Sequence, residues 1–320
     1  MTSRVFVTRQ IPAAGLDLVR AACETDVWPG DMPPPYDVLC ERVRGVDGLL
    51  CLLTDRVDAS LMDAAGPQLK VISQMAVGYD NIDVVAAQTR GIVVGNTPGV
   101  LTEATADLAF ALLLAAARRL FEGSAYIREG RWRTWDPMAL LGADFSGATL
   151  GIVGLGRIGQ AVARRAAGFD LRVIACSPGV SPAEAAAVGA ELTDLDTLLR
   201  QSDFVSLHVP LNDSTRHLIN RERLALMKPT AILVNTARGP IVDQPALVEA
   251  LRDGVIGAAA LDVTDPEPLS PDDPLLALPN ALVVPHIGSA SRRTRDRMAQ
   301  MAAENLLAGL RGETPPNTVT

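Results

Sequence analysis

Aromatic side chains are scarce in this chain, at 4% of its 320 residues. Its apolar cores must therefore be built from Ala, Val, Leu and Ile. That suits buried parallel strands covered by Ala-rich helices. Cysteine is also rare. Cys23, Cys40, Cys51 and Cys176 form no Cys-x-x-Cys pair and have no metal-ligand spacing. Free thiols in a reducing compartment are expected, with no metal site. Long apolar runs are missing, since the longest, Leu108 to Ala117, is too short to span a bilayer. Met1 to Arg9 reads as a strand rather than a signal sequence. Basic residues are outnumbered, and the net charge of −8 argues against a nucleic-acid or anionic-membrane surface. One local Arg can still hold an anionic substrate. A cytoplasmic protein with neither a membrane nor a nucleic-acid partner is expected.

What is present is apolar material, 48% of the chain, enough for two domains. Strand-like and helix-like pieces alternate from the start: Arg4–Thr8, Ala13–Ala22, Gly48–Leu53, Ala59–Ala65 and Val71–Met75. Asp83 then caps a helix running to Arg90, and Ile92–Gly95 follows. A long helix is predicted over Thr102–Leu120. It is apolar nearly all round, so it should be buried on several sides. Gly130 to Leu141, with Trp132 and Trp135, reads as an irregular arm. Alternation resumes with strands Thr149–Val153, Arg172–Cys176, Phe204–Val209, Ala231–Asn235, Ala258–Val263 and Leu282–Val284. Helices are predicted over Ile158–Ala167, Asp194–Gln201, Arg221–Met227, Gln244–Asp253 and Arg292–Leu310. Junctions near Pro98–Gly99 and Gly288–Ser289 divide the chain into 1–98 with 289–320, and 99–288.

Gly154-Leu155-Gly156-Arg157-Ile158-Gly159 is G-x-G-x-x-G between a predicted strand and a predicted helix, the context that dinucleotide binding requires. Gly154 permits the tight turn, Gly156 the approach of a pyrophosphate, and Gly159 close helix packing. The acid expected after the next strand is missing. Ser177-Pro178-Gly179 stands there instead, with no Arg following. Ser177 is as well read as a plain turn former as a ribose contact.

Three residues follow successive strands in this half: Arg238, Glu267 and His286. Singly each has an ordinary alternative, as a surface charge, a solvated loop acid and a turn histidine. Together, beyond strand ends and beside a dinucleotide motif, they match the needs of 2-keto acid reduction. Arg holds a carboxylate with two parallel hydrogen bonds. His supplies a proton, and a neighbouring carboxylate favours its charged form. His208 reads as a packed residue in a strand, and His217 as a surface-loop residue.

The chain resembles the D-isomer-specific 2-hydroxyacid dehydrogenases over nearly its whole length. The resemblance is carried by VFVTRQIPAAG (Val5–Gly15), GLLCLLTDRVD (Gly48–Asp58), LTEATADLA (Leu101–Ala109) and GLGRIGQAVARR (Gly154–Arg165). It continues through LDVTDPEPL (Leu261–Leu269), PHIGSASRRTR (Pro285–Arg295) and NLLAGLRGE (Asn305–Glu313). Within the family the nearer likeness is to glyoxylate/hydroxypyruvate reductases.

The resemblance implies an α/β protein of two domains. One is a Rossmann-type cofactor domain, and the other a flavodoxin-like substrate domain completed by the C-terminal helix. It implies NAD(P)H-dependent reduction of a small 2-keto acid, glyoxylate or hydroxypyruvate, to the D-2-hydroxy acid. Arg238, Glu267 and His286 match the catalytic set. Val77, Gly78, Arg238, Ser289 and the arm residue Trp135 match substrate contacts. The matching cofactor contacts are Thr102, Gly154 to Gly159, Ser177, Val209, Pro210, Thr215, Thr236, Ala237, Arg238, Asp262, His286 and Gly288. The cofactor is NADP or NAD, with the resemblance leaning to NADP, and the usual assembly is a homodimer. Relatives that prefer NADPH carry Arg where this chain has Ser177 to Ser181. A D-lactate-type or other D-2-hydroxyacid dehydrogenase is an alternative. A dinucleotide-sensing, corepressor-like binding protein is another.

Overall fold

The computed structural model describes residues 2–319. By compactness the chain forms two units, one running to Leu101 and resuming at Ala290, the other Thr102–Ser289. The boundaries lie one to three residues from the junctions placed on the sequence.

In the first unit the strands are β1 (Arg4–Val7), β2 (Glu24–Val27), β3 (Gly48–Cys51), β4 (Val71–Gln74) and β5 (Val93–Gly95). Helices α1 (Ala13–Ala22), α2 (Tyr36–Arg42), α3 (Ala59–Ala65) and α4 (Val84–Thr89) connect them. All strands pair in parallel, in the order β2-β1-β3-β4-β5, the flavodoxin-like order. The period-2 pattern of the strands sorts the core. Val5 and Val7 pack on one face with Leu16 and Val19, while Phe6 packs on the other with Leu39, Leu61 and Met62. Asp58 and Asp83 cap α3 and α4 by accepting from Leu61 N and Ala86 N.

The second unit begins with α5 (Thr102–Ala117) and α6 (Leu120–Arg128). The sequence predicts one helix over Thr102–Leu120. It stops early because Arg119 takes a left-handed conformation, φ 49°, and starts a new helix. Eight of the α5 residues are buried, as its all-round apolar character predicts. There follow β6 (Thr149–Val153), α7 (Arg157–Ala166), β7 (Arg172–Cys176), α8 (Pro182–Ala186), β8 (Ala190–Leu192), α9 (Leu195–Gln201) and β9 (Phe204–Leu207). The unit closes with α10 (Arg221–Leu224), β10 (Ile232–Asn235), α11 (Gln244–Arg252), β11 (Ala258–Leu261) and β12 (Ala281–Val283). The parallel sheet runs β12-β11-β10-β9-β6-β7-β8. Its order reverses between β6 and β9. A Rossmann-type sheet leaves its ligand crevice at such a point, beyond the carboxyl ends.

The final helix α12 (Arg292–Leu310) belongs to the first unit. It lies on the α1 face of that sheet, burying Met298, Ala299, Ala302 and Leu306. The sequence reading passes over β2, α2, α8 and β8, which are short elements. Among the described residues no helix is long and apolar enough to cross a membrane.

The α1–α12 contact gives a test of packing. A Cβ on Gly15 would lie 2.2 Å from the backbone oxygen of Ala299. Gly15→Ala should destabilise the protein by about 1–3 kcal/mol, because overpacking outweighs the gain in helix propensity. Gly168→Ala, where a Cβ meets nothing within 4 Å, should change stability by less than about 0.5 kcal/mol. Denaturant midpoints of the two variants measure the contrast.

Candidate active site

The glycine motif sits at the reversal of the larger sheet. β6 ends at Val153, and Gly154 turns the chain with φ 95°, a conformation that only glycine takes without strain. Its N–H donates to Cys176 O at 2.9 Å. A Cβ on Gly159 would stand 2.1 Å from Gly154 O, so α7 packs directly on the turn. Gly156 is the N-cap of α7. No side chain caps the helix, and a Cβ on Gly156 would meet nothing within 4 Å. The uncapped first turn, open at Gly156, leaves N–H groups that with the helix dipole can hold an anion such as a pyrophosphate. Leu155 is buried beneath it, Ile158 is half-buried and Arg157 is exposed.

Other residues of the expected cofactor set surround the carboxyl edge of the same sheet. Ser177 follows β7 and lines a cavity of about 320 Å³ with Cys176, Pro178, Leu192 and Thr193. Burial pushes the Cys176 thiol up. Val209 and Pro210 follow β9, and Thr215 Oγ1 donates to Pro210 O at 2.6 Å. Thr236, after β10, is 8% exposed, and its hydroxyl has no partner among the described residues. An orphaned buried hydroxyl at a strand end, with the open cradle at Gly156, fits a bound dinucleotide. Thr102 opens α5, half-buried. Ala237 N donates to Asn235 Oδ1, and Asn235 Nδ2 returns a bond to Arg238 O, so the loop carrying Arg238 is laced to its own strand.

Glu267 and His286 are brought into contact. His286 Nδ1 and Glu267 Oε1 are 2.5 Å apart, with the side chains 24% and 34% exposed. Nδ1 therefore faces the carboxylate, which leaves Nε2 as the ring nitrogen not engaged by Glu267. The backbone is shaped to achieve this. His286 has φ 52°, left-handed for a residue with a Cβ. It is held there by Asp262, whose backbone oxygen accepts from His286 N at 2.9 Å. The Asp262 carboxylate accepts from Ile287 N at 2.6 Å and Gly288 N at 2.8 Å. Burial raises the Asp262 carboxyl above its ordinary range, and the two N–H bonds with the nearby His286 work against that. Asp262, expected only as a cofactor contact, thus also clamps the loop of His286. Gly239, next to Arg238, packs on the loop of Glu267. A Cβ there would lie 1.9 Å from Thr264 O. Ser289, 9% exposed, ends this unit.

Val77 and Gly78 lie in the first unit, in the loop after β4. Trp135 is 79% exposed in the arm after α6, and Trp132 is 63% exposed. His217 is exposed in its loop. His208 follows β9 and shares a 2.8 Å hydrogen bond, through Nε2, with the buried Ser206 Oγ. The Ser-x-His spacing, which puts both side chains on one face of an extended segment, is the signal that would have found this pair. No group of three or more His, Cys, Asp or Glu among the described residues is placed to hold a metal.

A sequence model of the D-isomer specific 2-hydroxyacid dehydrogenase NAD binding domain matches residues 110–288. The chain is 55% identical over 320 residues to a glyoxylate reductase of Korarchaeum cryptofilum, covering all of this chain and 96% of that one. It is 51% identical to a glyoxylate reductase of Thermococcus litoralis, over all of this chain and 97% of the other. The chain belongs to the D-isomer specific 2-hydroxyacid dehydrogenases. Solved structures agree. The TT0316 protein of Thermus thermophilus superposes with a TM-score of 0.93 at 54% identity, covering 99% of this chain and 100% of that one. An NADPH-dependent glyoxylate/hydroxypyruvate reductase of Sinorhizobium meliloti, solved with NADP and malonate, gives 0.88 at 33%, covering 100% and 97%. The family makes the protein an oxidoreductase with a nicotinamide dinucleotide cofactor.

His208 yields a prediction about acid. Burial pushes its imidazole down to about 4 from an ordinary 6.5. A group depressed in the folded state stabilises it fully above the unfolded value, and the contribution is lost as pH falls toward the folded one. The melting temperature should therefore drop between pH 6.5 and 4 partly through His208. His208→Gln, which does not titrate, should lose less over that window. Equal losses would show that His208 contributes nothing to acid sensitivity.

Proposed function

We infer that the protein reduces a small 2-keto acid, glyoxylate or hydroxypyruvate, to the D-2-hydroxy acid. The observation that carries this is the 2.5 Å contact of His286 Nδ1 with Glu267, beyond the carboxyl edge of a dinucleotide-binding sheet, which leaves Nε2 available for proton transfer. The relatives named glyoxylate reductase support the choice of substrate.

The bound cofactor would lie with its pyrophosphate over Gly154 to Gly159, and Thr236, Ala237, Val209, Pro210 and Thr215 alongside. When reduced, it supplies a hydride to the carbonyl carbon of the keto acid. Protein groups do the rest. Arg238 binds the substrate carboxylate with its planar fork, and the backbone N–H groups of Val77 and Gly78 add donors. Ser289 serves as a further substrate contact, and Trp135, 79% exposed on the arm, reaches the active site of the partner subunit. His286, as imidazolium, donates the Nε2 proton to the carbonyl oxygen as negative charge grows there. Glu267 stabilises that imidazolium through Nδ1–H. Asp262 keeps the His286 loop fixed, which holds the donor in place.

Cofactor choice rests on Ser177. The turn Ser177 to Ser181 carries neither an acid to repel a 2′-phosphate nor an Arg to clamp one. Asp194 and Arg223, both acting on the neighbouring Cys176, oppose each other there, so both nucleotides serve, with NADPH favoured. The four free thiols suit a reducing, cytoplasmic setting.

An oxidation assay of NADPH and NADH against a panel of 2-keto acids tests the reading. Glyoxylate or hydroxypyruvate should be turned over. Absence of turnover with every small 2-keto acid sinks the proposal. His286→Asn should lower kcat by roughly 10²–10⁴ while leaving nucleotide affinity nearly intact. Glu267→Gln should produce a smaller loss.

A homodimer is also inferred. Leu120, Phe121, Trp135, Met138 and Leu141 are all exposed within one short stretch of chain, more clustered apolar surface than a monomer usually leaves in water. Sedimentation at micromolar concentration should give twice the chain mass, and a monomer would contradict the inference.

A further inference from the structure

We propose that Gln74 and a relay of Asn96, Asn305 and Asn317 are positioning residues that aim the Val77 and Gly78 N–H groups at the substrate carboxylate. The proposal rests on the reading of that loop given above and extends it to the C-terminal tail.

Each carbonyl of the loop is tied inward. Ala76 O accepts from Thr97 N at 2.9 Å, Val77 O from Asn96 Nδ2 at 2.8 Å, and Gly78 O from Gln74 Nε2 at 3.2 Å. In a trans peptide the N–H of the next residue points opposite to the carbonyl. Fixing the Ala76 carbonyl therefore fixes the Val77 N–H, and fixing the Val77 carbonyl fixes the Gly78 N–H. Neither N–H has an acceptor among the described residues. Successive free N–H groups on an immobilised backbone are an anion site in waiting.

The ties themselves are anchored. Gln74 is fully buried, and its Nε2 also donates to Asn81 Oδ1 at 2.7 Å. Asn81 Nδ2 in turn donates to Leu52 O and Asp55 O. Asn96 is held at both backbone ends. Its N donates to Asn317 O at 3.1 Å, and its O accepts from Asn305 Nδ2 at 2.7 Å. Asn305 is fully buried on α12, and its Oδ1 accepts from Asn317 N and Nδ2, each at 3.2 Å. Gly95 bridges to Thr318, and Val319 N donates to Val94 O at 2.9 Å, so the tail lies along the β5 edge. Asn305 donates from one end of its amide and accepts at the other, while Asn96 and Asn317 each donate through Nδ2. The three amides and the Asn96 backbone thus join the tail, α12 and the loop in series.

Asn96→Asp keeps the shape but replaces the donor facing Val77 O with an oxygen. At saturating nucleotide, its glyoxylate KM should rise on the order of tenfold, the effect of misaiming one hydrogen bond to a charged group. The kcat and nucleotide KM should stay within about twofold, the pattern of lost uniform substrate binding. Asn317→Ala, in the half-exposed tail, should shift glyoxylate KM the same way by less, and it decides the matter if Asn96→Asp does not fold. Calorimetry with oxalate on the nucleotide-loaded protein reads the same contact without turnover, and oxalate should weaken in parallel. Unchanged glyoxylate KM and oxalate affinity in both variants would overturn the relay. So would an equal rise in nucleotide KM, the mark of general loosening. A wild type that reduces no small 2-keto acid would refute the substrate reading instead, and oxalate binding would still judge the relay.

Discussion

Parallel pairing runs through both sheets, and it sends the carboxyl end of every strand in a sheet to one edge. Everything chemical in this protein follows from that constraint. The loops after β6, β7, β9, β10, β11 and β12 are far apart in sequence, yet they open on the same edge of the larger sheet. In the smaller sheet the same rule sets the β4 loop beside those after β1 and β3. Parallel pairing also forces crossovers, and the helices that make them bury the sheet faces. The strands can then be short and mostly aliphatic, with Phe6 and Phe204 buried among them.

On that edge the loops are held by polar groups rather than by packing. Asp262 fixes the chain after His286 in an unfavourable left-handed turn. Asn235 laces the Arg238 loop to β10, and Gln74 with Asn96 does the same for the loop after β4. In each case a side chain at or near a strand end bonds to the backbone of a loop. A hydrogen bond has direction, which apolar contact lacks, so it sets where a donor points. The contrast at Thr236 supports the distinction. Its buried hydroxyl has no partner among the described residues, so no bond of this kind sets its direction.

The two sequence features that most strongly suggested chemistry behave differently in the fold. The glycine motif is local, so its meaning was legible from the order strand, turn, helix. Gly154, Gly156 and Gly159 occupy the positions that the turn, the open cradle and the close packing require. Glu267 and His286 are separated by 19 residues, and their pairing rested on both lying beyond strand ends. The family resemblance named their roles, while the fold supplied the reason that they touch.

By itself the sequence determined the alternation of strands and helices and the cap at Asp83. Capping, strand period and glycine turns act within a few residues, so Asp83 announces its helix directly. It also exposed the dinucleotide motif and the catalytic candidates. Short elements such as β2 and β8 escaped, because three or four residues carry too little periodicity. The break of the long helix at Arg119 escaped as well, since nothing nearby forbids helix there. The tertiary structure alone decided the second role of Asp262, the Ser206–His208 pair, and the chain of amides from Asn317 to Val77. Asn96 and Asn305 stand 209 residues apart, and an amide in the sequence does not say which distant carbonyl it will meet. That depends on strand order and on the return of α12 to the first sheet, which arise only when the whole chain has packed.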